Sequence, residues 1–187
     1  HDSQASSKYL AWTRDWIGQC VRVLKPHGSI YIAIGDEYAA HIKLILEDEL
    51  HLTMRNWIIW HYTFGQQTKR MFAKSHTHIL YFTKSPDLEA MTFNADAVRV
   101  ASARQTTYGD ARANPKGKLP DDTWYLRPQE TTEDYFRPDS DTWNVSRVCG
   151  TFTEREGWHG CQMPIAVLNR IILASSNPGD VVLDPFN

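Results

Sequence analysis

The chain has 187 residues, 42% apolar and 22% charged, the size and balance of one globular domain with a real core rather than a disordered tail. Twenty basic against 22 acidic residues leave a net charge of −2, which excludes a bulk positive field and puts any nucleic-acid function on local charge. Three cysteines without a CxxC pair favour a reducing cytoplasm over a disulfide scaffold, and no run of about 18 apolar residues is present to span a membrane.

In chain order, the spacing of Leu10, Trp16, Ile17, Cys20, Val21 and Leu24 predicts a helix over Tyr9 to Leu24 with one buried face. Lys25-Pro26-His27-Gly28 ends it. The nearly unbroken apolar run Ser29 to Gly35 reads as a central parallel strand buried on both faces, with Asp36 at its carboxyl end, where open α/β sheets place ligands. Glu37 to Leu50 is predicted helical, with Ala39, Ile42, Leu46 and Leu50 on one stripe. Met54 to Tyr62 and His76 to Thr83 are rich in β-branched and aromatic residues and read as strands. The link between them is too short for a comfortable crossover helix, so they are expected to pair antiparallel. It carries Lys69, Arg70 and Lys74 with no acidic residue.

From Ser85 the character changes. Arg99 to Thr142 contains only eight large apolar side chains and four of the nine prolines, too little for a core of its own, so it is expected to drape on the sheet domain. Arg99 to Arg127 has six basic and three acidic residues, whereas Gln129 to Asp141 has five acidic and one basic. A helix is predicted from Pro164 to Ser175, burying Ile165, Leu168, Ile171 and Ile172. Asn177-Pro178-Gly179-Asp180 then turns the chain into a strand starting at Val181-Val182-Leu183. No repeat or low-complexity segment interrupts this order, which divides into 1–84, 85–142 and 143–187.

Isolated residues favour plain readings. His159 and Cys161 lack a second ligand pair at zinc spacing, so no metal site is expected. His76 and His78 fall on one strand face and read as sheet packing; Trp12, Trp16, Trp57 and Trp60 read as core or core rim.

The last forty-five residues are more specific. His159-Gly160-Cys161-Gln162-Met163-Pro164, a helix, Ala174-Ser-Ser-Asn-Pro-Gly-Asp180 and Val181-Val-Leu-Asp-Pro-Phe186 resemble the succession H-P-x-Q-x-P, helix, A-S-S-N-P-G-D-x-V-L-D-P-F of the N4-cytosine/N6-adenine DNA amino-methyltransferases. The similarity is to their β class, whose cofactor motif follows the catalytic one; Gly160 stands where that family usually has Pro. Leu24 to Asp36, Trp57 to Tyr62 and Ser75 to Phe82 are similar to three of its strands, so the likeness runs from Tyr9 to Asn187.

The resemblance implies an α/β fold, a Rossmann-like class I methyltransferase sheet with an antiparallel terminal hairpin and an irregular target-recognition insertion at 85–142. It implies S-adenosylmethionine as cofactor, held by His159, Cys161, Gln162, Pro164, Asp184, Pro185, Phe186 and Asn187. An aromatic face such as Phe186 beside the cationic sulfonium is worth about 0.5–2 kcal/mol. The implied partner is double-stranded DNA with a flipped target base, in a prokaryotic or phage-type cytoplasm, often within restriction–modification. Lys69, Arg70, Lys74, Arg99, Arg104, Arg112, Lys116 and Lys118 lie where such enzymes meet DNA, and about four phosphate contacts would give a salt slope near −3.6. The arginines are also able to fork onto guanine. The family's [D/N/S]-P-P-[Y/F/W] tetrapeptide does not occur in the sequence and is expected upstream of His1, with G-x-G expected after Asn187. The chain is accordingly expected to be a slice of an enzyme, inactive by itself. A degenerate DNA-binding module and an amino-methyltransferase acting on RNA or protein share these features, and the flanking sequence separates them.

Overall fold

A computed structural model describes residues 6–66, 68–124, 155–156 and 162–186. Their strands form a sheet in the order β1-β3-β2-β4: β1 is Ser29–Ile34, β2 Thr53–Gln66, β3 Lys74–Thr83 and β4 Thr123–Trp124. The helices are α1 (Ser6–Val23), α2 (Asp36–Leu44), α3 (Ala103–Thr106) and α4 (Ile165–Ser175). Two compact units share the chain, one made of 1–58 with 77–92, the other of 59–76 with 93–187.

In the first unit, the amphipathic spacing of α1 and α2 closes one core. Ile17, Ile32, Ile42, Leu46, Leu52, Leu80 and Phe82 are buried together, with Trp16, Val21, Tyr38 and Trp57 packed partly against them. The expected first helix starts three residues earlier and ends one earlier, at Ser6 and Val23. Its terminal carbonyls are satisfied by a cation: Lys84 Nζ donates to Val21 O at 2.9 Å and Leu24 O at 2.8 Å. The second helix is interrupted. After Leu44 it widens into a π turn, Ile45–Glu49, and His51 stops it at φ 54°. That turn keeps Leu46 buried and Leu50 half-buried, so the predicted stripe survives the change of pitch.

Two expectations about the strands are revised. β1 is not flanked by parallel neighbours among the described residues: it stands at the sheet's end and pairs antiparallel with β3, Ser29 opposite Thr83 through Ile34 opposite His78. Only Ile32 of β1 is fully buried. An apolar run suits a buried strand of either direction, so composition alone does not choose the partner. The two later strands lie side by side as expected and are longer than predicted. Arg55 meets Thr83 and Trp57 meets His78, rising numbers against falling ones, the order of an antiparallel hairpin. Trp57 Nε1 donates to His78 Nδ1 at 2.8 Å, which puts His78 to use within the sheet. Arg55 also donates to the Ser85 and Pro86 carbonyls at 2.8 and 2.9 Å, fixing the exit from β3. Of the four tryptophans, Trp60 is buried, Trp16 and Trp57 are half-buried, and Trp12 is exposed.

In the second unit, β4 runs parallel to the far half of β2, Thr123 beside Ile59 and Trp124 beside Trp60. Val100 and Lys118 form an antiparallel bridge with reciprocal 2.9 Å hydrogen bonds, and Val98 and Val100 are buried. The polar stretch therefore has local anchors. Its continuation, 125–154, lies outside the described residues, as do Cys149 and the return to regular structure expected near Trp143.

The predicted buried face of α4 is corrected. Ala166, Val167, Arg170 and Ala174 are buried, whereas Ile165 is 51%, Leu168 39% and Ile172 41% exposed. The helix is apolar nearly all round, so periodicity could not select the inward stripe. Arg170 defeats the pattern most clearly: burial opposes its charged form and pulls the guanidinium pKa down. The strand expected at Val181 is likewise absent from the described sheet; Val181, Val182 and Leu183 are 86%, 60% and 62% exposed.

Asn94 closes the end of α4. Its backbone N donates to Ala174 O at 2.7 Å, and its Nδ2 reaches Ser176 O at 2.8 Å and Leu173 O at 3.2 Å. These are carbonyls at and just beyond the helix end, which lack intrahelical donors. Asn94→Ala is expected to weaken the last turn of α4 by about 1–2 kcal/mol. Faster amide exchange in that turn checks it; unchanged exchange would show the side-chain bonds to be idle.

Candidate nucleic-acid interface and cofactor turn

Between Glu49 and Asp87 the chain has no acidic residue, so the whole β2–β3 hairpin is cationic. Lys69, Arg70 and Lys74 sit at its tip and are exposed. Neither Lys69 nor Arg70 makes an ion pair among the described residues. The hairpin is held near its tip by Tyr62, whose hydroxyl donates to His76 O at 3.1 Å, and by His61 and Ser75, 3.3 Å apart. Met71 and Phe72, between the cations, are 68% and 97% exposed. Sequence reading passed over this pair, although two large apolar residues in a polar link are themselves a signal.

The other predicted DNA contacts are differently placed. Arg99 lies 2.8 Å and Lys116 2.5 Å from Asp96, Arg104 2.6 Å and Arg112 3.0 Å from Asp110, and Lys118 2.9 Å from Asp121. Each cation thus already has a carboxylate. Hydrogen bonds from Arg112, then Arg104, hold Asp110 well below the usual carboxylate range, and those from Lys116, then Arg99, lower Asp96. Five basic residues share three acids, leaving a modest surplus. Counting Arg99 to Arg127 alone missed Asp96, just before that window.

Of the predicted cofactor residues, Gln162, Pro164, Asp184, Pro185 and Phe186 are described; His159, Cys161 and Asn187 lie outside the described residues. Pro164 is buried and caps α4 at φ −62°, the angle its ring imposes. Gln162 Oε1 accepts from Glu156 N at 3.0 Å. Downstream, Asp180 Oδ2 accepts from Asn177 N at 2.8 Å, and Gly179 takes φ 93°, which closes the Asn-Pro-Gly-Asp turn. Asp184 Oδ1 accepts from Phe186 N at 3.0 Å, so Asp184-Pro185-Phe186 forms a second, exposed turn with Phe186 56% exposed.

Cys20 is half-buried, and burial pushes its thiol pKa up, away from thiolate chemistry. Among the described residues no group of three His, Cys, Asp or Glu could hold a metal ion, and no helix is long and apolar enough to cross a membrane.

A sequence profile described as DNA methylase, the N6/N4 methyltransferase family, matches residues 1–187. The chain belongs to the N6/N4 DNA methylase family. Its relatives include the type II methyltransferase M.HpaI of Haemophilus parainfluenzae, 38% identical over 186 residues, covering 99% of this chain and 51% of that protein. The type II methyltransferase M.BglII of Bacillus subtilis is 32% identical over 201 residues, covering 100% of this chain and 49% of that protein. The DNA adenine methyltransferase YhdJ of Escherichia coli (strain K12) is 35% identical over 181 residues, covering 95% and 55%. This DNA methylase chain therefore spans about half the length of the relatives it matches. The family match takes in the hairpin, the polar stretch and the Asp184–Phe186 turn together.

Proposed function

We propose that the protein containing this chain transfers a methyl group from S-adenosylmethionine to the exocyclic amine of adenine (N6) or cytosine (N4) in double-stranded DNA. The observation that carries this reading is the family match across the whole chain, through the Asn177–Asp180 and Asp184–Phe186 turns. In this reading the sheet belongs to a larger Rossmann-like one, in which Val181–Leu183 form a strand. Their exposure and that of Ile165, Leu168 and Ile172 on α4 support it, because such apolar surface calls for cover. The segment 85–142 is the target-recognition insertion, between sheet portions 1–84 and 143–187. Relatives of the type II class, such as M.HpaI, make a place in prokaryotic or phage-type restriction–modification, in the cytoplasm, part of the same proposal.

The residues present fit the cofactor. Asp184, Pro185 and Phe186 offer an exposed turn, an acid and an aromatic face, and His159, Cys161, Gln162, Pro164 and Asn187 complete the proposed set. S-adenosylmethionine, when bound, supplies an electrophilic methyl group. Phe186 would offer its ring to the cationic sulfonium end, and Asp184, which accepts from Phe186 N, orders the backbone of the turn. A base amine is a poor nucleophile because its lone pair is conjugated into the ring, and inside a duplex it is out of reach. The [D/N/S]-P-P-[Y/F/W] tetrapeptide that the family uses to accept its hydrogens does not occur in these 187 residues, so those residues are proposed to lie in the remaining half of the protein, while this half holds cofactor and DNA.

Full-length protein, genomic DNA and isotopically labelled S-adenosylmethionine test the reading. The expected result is label in N6-methyladenine or N4-methylcytosine after digestion to nucleosides. Label appearing only in RNA or protein, or nowhere, overturns it. The isolated 187-residue chain is expected to transfer no methyl group in the same assay.

A further inference from the structure

We infer that Phe72, assisted by Met71, is an apolar wedge that enters the DNA base stack while Lys69, Arg70 and Lys74 hold the flanking phosphates. The inference rests on the DNA reading above and extends it to a specific physical act. Phe72 is 97% exposed, more than any other large apolar side chain among the described residues, and Met71 is 68% exposed. Both stand in the link between Gln66, the last residue of β2, and Lys74, the first of β3. An aromatic ring left in water at a hairpin tip calls for a partner that buries it.

The charge around the ring selects that partner. Lys69 and Arg70 precede the apolar pair, Lys74 follows it, and the chain has no acid from Leu50 to Pro86. A protein surface covering the tip would have to combine an apolar socket with several carboxylates. A duplex provides both requirements along its whole length, phosphates outside and stacked bases within. Apolar side chains that part a base step while basic neighbours grip the backbone are an established way of deforming DNA. Extruding a target base also leaves a gap in the stack, and a flat ring can fill it. The strand pairing behind the tip and the Tyr62–His76 hydrogen bond make the hairpin a braced mount.

The test uses the full-length protein as wild type, Phe72→Ala and Phe72→Trp. The DNA is a duplex carrying the site it methylates, or a mixed-sequence duplex if it methylates none. 2-Aminopurine, which brightens when unstacked, is placed at each position in turn. Wild type is expected to brighten one region. Phe72→Ala is expected to lose that signal and bind about tenfold more weakly, with an unchanged salt slope because no charge is removed. Phe72→Trp is expected to restore the signal, with indole emission quenched by stacking. Wild-type brightening retained in Phe72→Ala overturns the wedge, and so does a wild type that leaves every position dark. If either occurs while methylation proceeds, the methyltransferase reading stands. Conversely, a Phe72-dependent signal in a protein that methylates nothing supports the wedge and overturns the methyltransferase reading.

Discussion

Replacing Lys69, Arg70 and Lys74 together by glutamine is expected to flatten the salt dependence of DNA binding by the full-length protein by about 2.7 in log–log slope. The same replacement should weaken binding by about a hundredfold at 0.15 M salt, since each phosphate contact contributes a slope of about 0.9 through counterion release. The expectation is this large because the cations sit in a hairpin without a single acid, and Lys69 and Arg70 make no ion pair among the described residues. By contrast, Arg104→Gln with Arg112→Gln removes two charges that already share Asp110, so its effect on slope should be smaller than the two charges alone predict. Fluorescence anisotropy across a salt series measures both. Equal losses from the two variants would mean that the carboxylates release their cations to DNA at no cost, and the ranking of the two basic regions would fall.

That ranking also shows where the sequence was legible. The helices α1 and α2, the hairpin and the two Asp turns follow from local rules: apolar spacing, β-branched runs, Pro and Gly at turns. Each rule acts over a few residues, so each can be read without knowing the fold. The inward face of α4 could not be read that way, because a helix apolar on nearly every side gives no contrast, and Arg170 occupies a position that pattern assigns to solvent. The partner of β1 was equally hidden, since an apolar strand looks the same between parallel neighbours or beside an antiparallel one. In the site, net charge in a window found the basic stretches but not their pairing. Asp110 serves both Arg104, six residues before it, and Arg112, two after it, a closure that depends on the turn between them. Met71 and Phe72 stand out in a polar link by composition, but only the 97% exposure of Phe72 separates a surface feature from a core residue.

The same dependence on a turn makes Gly117→Ala the most damaging small substitution expected in the polar stretch. Gly117 has φ 90°, and a Cβ built there lies 2.1 Å from the Val100 carbonyl oxygen and 2.9 Å from its carbon. Backbone rather than a flexible side chain is in the way, so the two segments must part. Parting them breaks the reciprocal Val100–Lys118 hydrogen bonds at 2.9 Å and the Arg99 Nη1 bond to Gly117 O at 2.9 Å. Strain at a left-handed position costs about 1–3 kcal/mol, and lost backbone bonds add to it, so a local loss of about 3 kcal/mol is expected. In hydrogen exchange of the full-length protein, the Val100 and Lys118 amides should lose roughly a hundredfold in protection. Gly109→Ala is the control: Gly109 has φ 57° with nothing within 4 Å of the added Cβ, so only the conformational cost of about 1 kcal/mol remains. Similar losses from both variants would show that close approach to Val100 does not govern the stretch. A much larger loss at Gly117 would identify the Val100–Lys118 bridge as what holds Arg99, Lys116 and Lys118 in place. Their salt-dependent contribution to DNA binding should then shrink in Gly117→Ala although none of those cations has been altered.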